Sequence, residues 1–285
     1  MIIIKLMGGL ASQLHKYAIG YAVAKELNVE LKVDTTWFDN IPNTDTPRQM
    51  VIDAYDIPLL KASTEEIKRM RKGRFIRKGY NVFNKYSGKK ISTYSGCSFF
   101  DKDYLARLVS PLYIEGEWFG DLLLQPLQAE LKKLFSLKEG GGVFNRYQDD
   151  CASIHIRRGD FFSNPMAMRL HGVLTEEYYI KAMKLAKKCG VRKFFIFSDE
   201  IEWVRNNYSH FREFEVEYIT ANSDIEEFEM MRLFKFNITS NSGFSWLSAW
   251  LSDSDTIISP KVWVNDRVLN KHYLDNIIDP RMVYL

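Results

Sequence analysis

The chain has 285 residues, 46% of them hydrophobic and 26% charged, with a formal net charge of +3. That length suits two domains of ordinary size or one large one, and the composition excludes disordered, fibrous and collagen-like classes. So small a net charge gives by itself no ground for a nucleic-acid partner.

Residues 1–6 are apolar and rich in β-branched side chains, which predicts a buried first strand. Gly8-Gly9 then turn the chain into a helix over 11–27, with Leu14, Tyr17, Ala18, Tyr21, Ala22 and Ala24 on its packed face. A strand, a glycine turn and a helix in succession suit an anion or a backbone-close ligand; the alternative is a plain βα unit. Gln13 and His15, in the first turns, are the polar groups placed to reach a cleft. A second strand follows at 31–34, and Pro42, Pro47 and Pro58 exclude long helices from 39–60.

Between Lys61 and Lys90, eleven Lys or Arg stand against Glu65 and Glu66 alone, interleaved with apolar residues such as Ile67, Met70 and Phe75. This segment, 61–90, reads either as a basic amphipathic surface for an anionic membrane or as a solvated excursion. No zinc-finger, helix-turn-helix or ribonucleoprotein motif accompanies it, so nucleic acid is not expected. Residues 113–119 predict a strand ending at a carboxylate and an aromatic. Sugars are gripped by such pairs, which makes Glu117 and Trp118 acceptor-side candidates; the other reading of Trp118 is core. After a helix over 122–135, Lys138-Glu139-Gly140-Gly141-Gly142 marks a hinge and divides the chain into domains 1–140 and 141–285.

In the second half, a strand at 152–156 stops at Arg157-Arg158-Gly159-Asp160. Two guanidiniums at a strand's carboxyl end suit a phosphate or diphosphate, since each can fork onto two oxygens. Asp160 is placed to hold one of them, and His155 to donate to a ribose or phosphate. The plain alternative is a solvated Arg-Gly-Asp turn. An irregular loop is expected next, then a helix over 175–189 with Thr175 as N-cap. The apolar run 194–197 predicts a buried strand ending at Ser198-Asp199-Glu200. A helix at 202–208, a strand at 216–220 and a helix at 224–234 precede Asn241-Ser242-Gly243-Phe244-Ser245, which starts a helix through Trp250. Ser242 and Ser245, with the amides of that helix start, offer a second phosphate contact. A last strand near 257–259 and a tail containing Trp263 are expected to cross back over the hinge. Alternating strands and helices predict an α/β fold of two Rossmann-type domains with parallel sheets.

Cys97, Cys151 and Cys189 leave an odd thiol without metal-ligand spacing, which predicts a reducing compartment. Residues 1–7 are too short an apolar run for a signal peptide, and nothing approaches the roughly 20 apolar residues of a membrane span. The expected location is cytoplasmic, with peripheral contact at the inner face of the cell membrane as an option for 61–90.

Several motifs in order resemble the family-11 glycosyltransferases, whose best-known members are α1,2-fucosyltransferases. They are Gly8-Gly9-Leu10 with Gln13, His155-Ile156-Arg157-Arg158-Gly159-Asp160, His171-Gly172 and Tyr178-Tyr179. Phe195-Ile196-Phe197-Ser198-Asp199 and Asn241-Ser242-Gly243-Phe244-Ser245-Trp246 complete the set. The resemblance implies a GT-B-like fold facing an interdomain cleft, GDP-L-fucose as donor, inversion at the anomeric carbon, and no metal or other cofactor. It implies an oligosaccharide or glycolipid acceptor, with O2 of a β-galactoside as the hydroxyl. Carried onto this chain, it implies that Arg157 and Arg158 neutralise the leaving diphosphate, helped by His155 and Asp160. Ser198 and Asp199 would lie near the nucleoside, and Asn241, Ser242, Gly243, Phe244 and Ser245 at the β-phosphate. Gly8, Gly9 and Gln13 would lie on the acceptor side. The usual Gly-x-Gly-Asn-Gln is here interrupted by Ala11-Ser12, which bears on acceptor choice. For the general base, Asp160, His15 and Glu117 are candidates in that order. A metal-dependent transferase using Asp101/Asp103 or Asp253/Asp255, and a nucleotide-sugar or polyanion binding module, are the rival readings.

Overall fold

The isoleucines that open the chain form β1 (Ile2–Lys5), where Ile2, Ile3 and Ile4 are fully buried. The computed structural model describes residues 1–43, 45–71, 91–97, 108–117, 120–138, 147 and 149–285. They fall into two units, Met1–Lys138 and Glu139–Leu285. The glycines of the expected hinge, the basic stretch 72–90 and Trp118 lie outside the described residues.

In the first unit, β1 pairs in parallel with β2 (Leu31–Asp34) on one side and β4 (Leu108–Glu117) on the other, and β3 (Ile91–Cys97) runs beside β4. A strand with both faces covered reads as an unbroken apolar run, as β1 does. Helix α1 (Leu10–Glu26) covers it, and Gly20 allows the close approach: a Cβ there would lie 2.9 Å from Ile4 Cγ2. Gly8 makes the βα turn at φ +82°, where a Cβ would meet Ser12 at 2.9 Å. Helix α2 (Thr64–Arg71), the start of the basic segment, buries Ile67 and Met70 against Ile3 and Tyr113. Those two apolar residues are therefore core and not a lipid-facing stripe. The expected helix over 122–135 is a 3₁₀ turn at Gln125–Leu127 followed by α3 (Gln128–Leu134).

The second unit is a six-stranded sheet, all parallel, in the order β10-β9-β8-β5-β6-β7. Its strands are β5 (Cys151–Ile156), β6 (Lys193–Ser198), β7 (Glu215–Tyr218), β8 (Phe236–Ile238), β9 (Thr256–Ser259) and β10 (Met282–Tyr284). From β5 the chain winds outward through β6 and β7, returns to β8 on the other side of β5, and winds outward again. The winding reverses between β5 and β8, the place where open α/β sheets bind ligands. The expected irregular loop after β5 is instead two short helices, α4 (Gly159–Ser163) and α5 (Pro165–Leu170). Asn164 caps the second, its Oδ1 accepting from Met166 N at 2.9 Å, and Pro165 occupies the position that needs no amide. Helix α6 (Glu176–Lys188) starts after Thr175, but the Thr175 hydroxyl makes no cap bond. The remaining helices are α7 (Ile201–Asn207), α8 (Asp224–Met231), α9 (Gly243–Leu251) and α10 (Arg267–Asn276). The tail, expected to cross back over the hinge, ends as the edge strand β10 beside β9.

Candidate active site

Alternation along β5 decides where its side chains go. Ile154 and Ile156 enter the main core of the second unit, while His155 and Arg157 emerge on the opposite face. Arg158, one residue on, turns away from Arg157. The two guanidiniums are held by different neighbours.

Arg157 is fixed at both ends of its fork. Nη2 donates to Asp160 Oδ1 at 2.6 Å and Nη1 lies 3.0 Å from Asp199 Oδ2, while the guanidinium rests over Phe161 at 5.5 Å. Its Nε–H is buried and has no acceptor among the described residues. Arg158 is only 7% exposed. Its amide donates to Asp199 Oδ1 at 3.0 Å and its Nε to Glu200 Oε2 at 2.9 Å, and the guanidinium lies 3.2 Å from the ring centre of Trp203. Asp199 thus holds Arg157 by one oxygen and the Arg158 backbone by the other, an orienting position. Gly159 makes this possible: a Cβ there would stand 2.5 Å from Asp199 Oδ2. Ser198 is likewise occupied, accepting from Glu200 N at 3.1 Å.

Across the switch point, His155 Nδ1 lies 3.0 Å from Ser240 Oγ, and its ring tilts on Phe244 at 5.4 Å. Burial, and then the charge of Arg157, lower its pKa to about 3, so the imidazole is neutral. His155 Nε2 points toward Glu227 of α8, 3.8 Å away. Glu227 was not foreseen. Its Oε1 is buried with no hydrogen-bond partner among the described residues, and burial, with Asp224 and Asp199 nearby, raises its pKa to about 7 despite Arg157. Its sequence signal is faint: Glu227 precedes buried Phe228 and lies four residues before buried Met231, on the apolar side of an otherwise acidic turn.

The β8–α9 turn supplies framework as well as a helix start. Ser242 Oγ caps α9 by accepting from Phe244 N at 3.3 Å, beginning at Gly243. Ser245, expected at a phosphate, is buried and spends its hydroxyl on Ser240 and on Ser242 O. Asn241 Nδ2 donates to His171 O at 3.0 Å, tying down the 171–172 turn, while its Oδ1 is buried with no hydrogen-bond partner among the described residues.

The residues expected on the acceptor side belong to the first unit and are mostly consumed by it. Gln13 is fully buried: Nε2 donates to Gly8 O and Gln49 O, and Oε1 accepts from Val51 N and Ile52 N. It pins a loop and has no bond to spare. His15 is buried with Nε2 3.1 Å from Gly120 O, and burial lowers its pKa to about 4. Gly9 is the N-cap position of α1. Glu117 ends β4. Asp253 and Asp255 precede β9, at the opposite end of the sheet from Arg157, and Asp255 pairs with Lys235 at 3.5 Å.

A model described as glycosyl transferase family 11 matches residues 60–283. An α-1,2-colitosyltransferase of Escherichia coli is 28% identical over 288 residues, 95% of this chain and 94% of that protein. The O-antigen biosynthesis glycosyltransferase WbnK of Escherichia coli is 28% identical over 302 residues, 96% of this chain and 98% of that protein. Among solved structures, a point mutant of Arabidopsis thaliana FUT1 in complex with GDP aligns with a TM-score of 0.52 at 11% identity, over 90% of this chain and 69% of that one. NodZ α-1,6-fucosyltransferase soaked with GDP-fucose aligns at 0.50 and 12%, over 90% and 93%. The fold is the GT-B-like α/β fold of these fucosyltransferases.

Proposed function

Since this chain belongs to glycosyl transferase family 11 and is a glycosyltransferase, we propose that it moves L-fucose from GDP-L-fucose to a glycan hydroxyl with inversion and without a metal. The observation that carries the reading is the Nε–H of Arg157, a buried donor without an acceptor on a guanidinium already clamped at both other nitrogens. Leaving such a donor unpaired costs about 1–3 kcal/mol, which a phosphate oxygen would remove. Glu227 offers the opposite: a buried carboxylate oxygen without a donor, on the same side of β5. A guanine nucleotide is complementary to both. Its phosphates accept, and its N1–H and exocyclic amine donate side by side to a carboxylate.

In this mechanism negative charge develops on the diphosphate as the bond to the anomeric carbon breaks. Arg157, held in place before the ligand arrives, stabilises that charge, a contribution of about 3–4 kcal/mol for one preorganised donor. Arg158 acts through Asp199 and Glu200 as a positioning residue. The acceptor hydroxyl is proposed as O2 of a β-galactoside in an oligosaccharide or lipid-linked glycan. GDP-colitose is the second donor, favoured by the colitosyltransferase relative. The test is GDP release from GDP-fucose, GDP-colitose, GDP-mannose and UDP-sugars with β-galactoside acceptors in EDTA. Turnover of GDP-fucose supports the reading; turnover confined to a UDP-sugar, or abolished by EDTA, overturns it. Tight nucleotide binding without turnover of any donor would favour the binding-module rival. No helix among the described residues is long and apolar enough to cross a membrane. Peripheral contact through 61–90 is proposed from its charge, and co-sedimentation with anionic against neutral vesicles tests it.

A further inference from the structure

Transfer to a hydroxyl releases a proton, which a well-placed side chain can take in place of water, and two of the three sequence candidates for that role are engaged elsewhere. Asp160 is engaged by Arg157 at 2.6 Å, and His15 is buried against Gly120. One titratable side chain near Arg157 has no task so far. His171 caps the C-terminus of α5, its backbone anchored by bonds from its N–H to Ala167 O at 2.8 Å and from Asn241 Nδ2 to its carbonyl. Its ring stacks flat on Phe161, with centres 4.5 Å apart and planes 8° apart, and Phe161 is the ring over which the Arg157 guanidinium rests. Nδ1 lies 3.4 Å from the carbonyl of Trp263. Only an N–H can bond a carbonyl, so Nδ1 carries the hydrogen and Nε2 keeps a lone pair.

Resting on the transferase reading above, we propose that Nε2 of His171 is the base that takes the proton of the incoming hydroxyl. The bookkeeping of atoms is complete without a further reagent. The hydroxyl oxygen forms the bond to the anomeric carbon, the carbon–oxygen bond to the β-phosphate breaks with its electron pair going to phosphate, and the proton passes to Nε2 and later to water. Burial lowers the pKa of His171, as does Arg157; the Trp263 carbonyl and Asp160 raise it. The balance leaves the ring neutral at pH 7, the state a base requires.

His171→Phe keeps the stack on Phe161 and removes the base; His171→Gln keeps a polar group and serves if the first variant does not fold. With the donor and acceptor pair found in the screen, kcat should fall about 100- to 10,000-fold, the usual span for general acid–base catalysis. GDP affinity by calorimetry should be unchanged. The acid limb of the wild-type kcat/KM profile, where rate falls as His171 is protonated, should be absent from the residual activity. A variant that retains kcat and the acid limb overturns the proposal. So does one that loses kcat and GDP affinity together, because the ring would then serve only to back Phe161 and Arg157. Wild-type protein that binds no GDP counts against the donor reading, a result distinct from either.

Discussion

The carboxyl ends of the two sheets make an instructive contrast. In the first unit, buried polar groups there are satisfied by their own neighbours. Asp34 accepts from Tyr113 at one oxygen and from Thr36 at the other, Lys5 pairs with Glu115 at 2.6 Å, and Gln13 makes four hydrogen bonds. In the second unit, Arg157 Nε, Glu227 Oε1 and Asn241 Oδ1 are buried with no hydrogen-bond partner among the described residues. Buried polar groups are nearly all paired in folded proteins, so unpaired ones gathered at a switch point fit a place that water or a ligand completes. Asp34, Lys5 and Gln13 of the first unit are held by their own neighbours.

The contrast can be broken most sharply at Arg157. Arg157→Ala should lose about 100- to 1,000-fold in kcat/KM while the protein remains folded; a loss no greater than that of Trp203→Ala would sink the assignment. Gln13→Ala should do the reverse. It leaves two carbonyls and two amides of the loop unpaired and should destabilise the fold by at least about 1–3 kcal/mol, read as a lower Tm, with GDP affinity intact. Glu227→Gln should weaken GDP binding by about 10- to 150-fold, since a hydrogen bond to a charged group is worth roughly 1.5–3 kcal/mol. Below a pH of about 7 the Glu227 carboxyl is protonated, and above it the group is an acceptor. Wild-type GDP affinity should therefore climb as pH rises through that value, and the variant should show no such climb in calorimetry. Trp203→Ala, which uncovers Arg158, should have the smallest effect, about 0.5–2 kcal/mol in stability from the lost cation–π contact.

Much of this was legible in the residues. The β1 run, the glycine turn, the β5 strand with its Arg-Arg stop and the apolar β6 each show one dominant pattern. The divergence of Arg157 and Arg158 was legible too, because neighbours along an extended chain face opposite sides. The capped helix α5 was announced by Asn164-Pro165 and overlooked because the surrounding stretch lacks helical periodicity. Glu227 was hidden for a physical reason. Beside Glu226 and Glu229 it looks like any acid placed to complement a helix dipole, and only tertiary burial sets it apart. Gln13 and His15 misled in the opposite sense, since a polar residue near a glycine turn announces a hydrogen bond but not whether its partner is a ligand or the chain itself.

The clamp on Arg157 has a consequence for how an anionic substrate arrives. Arg157 and Arg158 stand among Asp160, Asp199, Glu200 and Glu227, so among the described residues this cluster carries more acids than bases. It offers little long-range pull to a nucleotide, which must be recognised at contact. Added salt screens distant charges but barely touches close, buried ones. The rate at which nucleotide enters this cluster should accordingly depend only weakly on ionic strength.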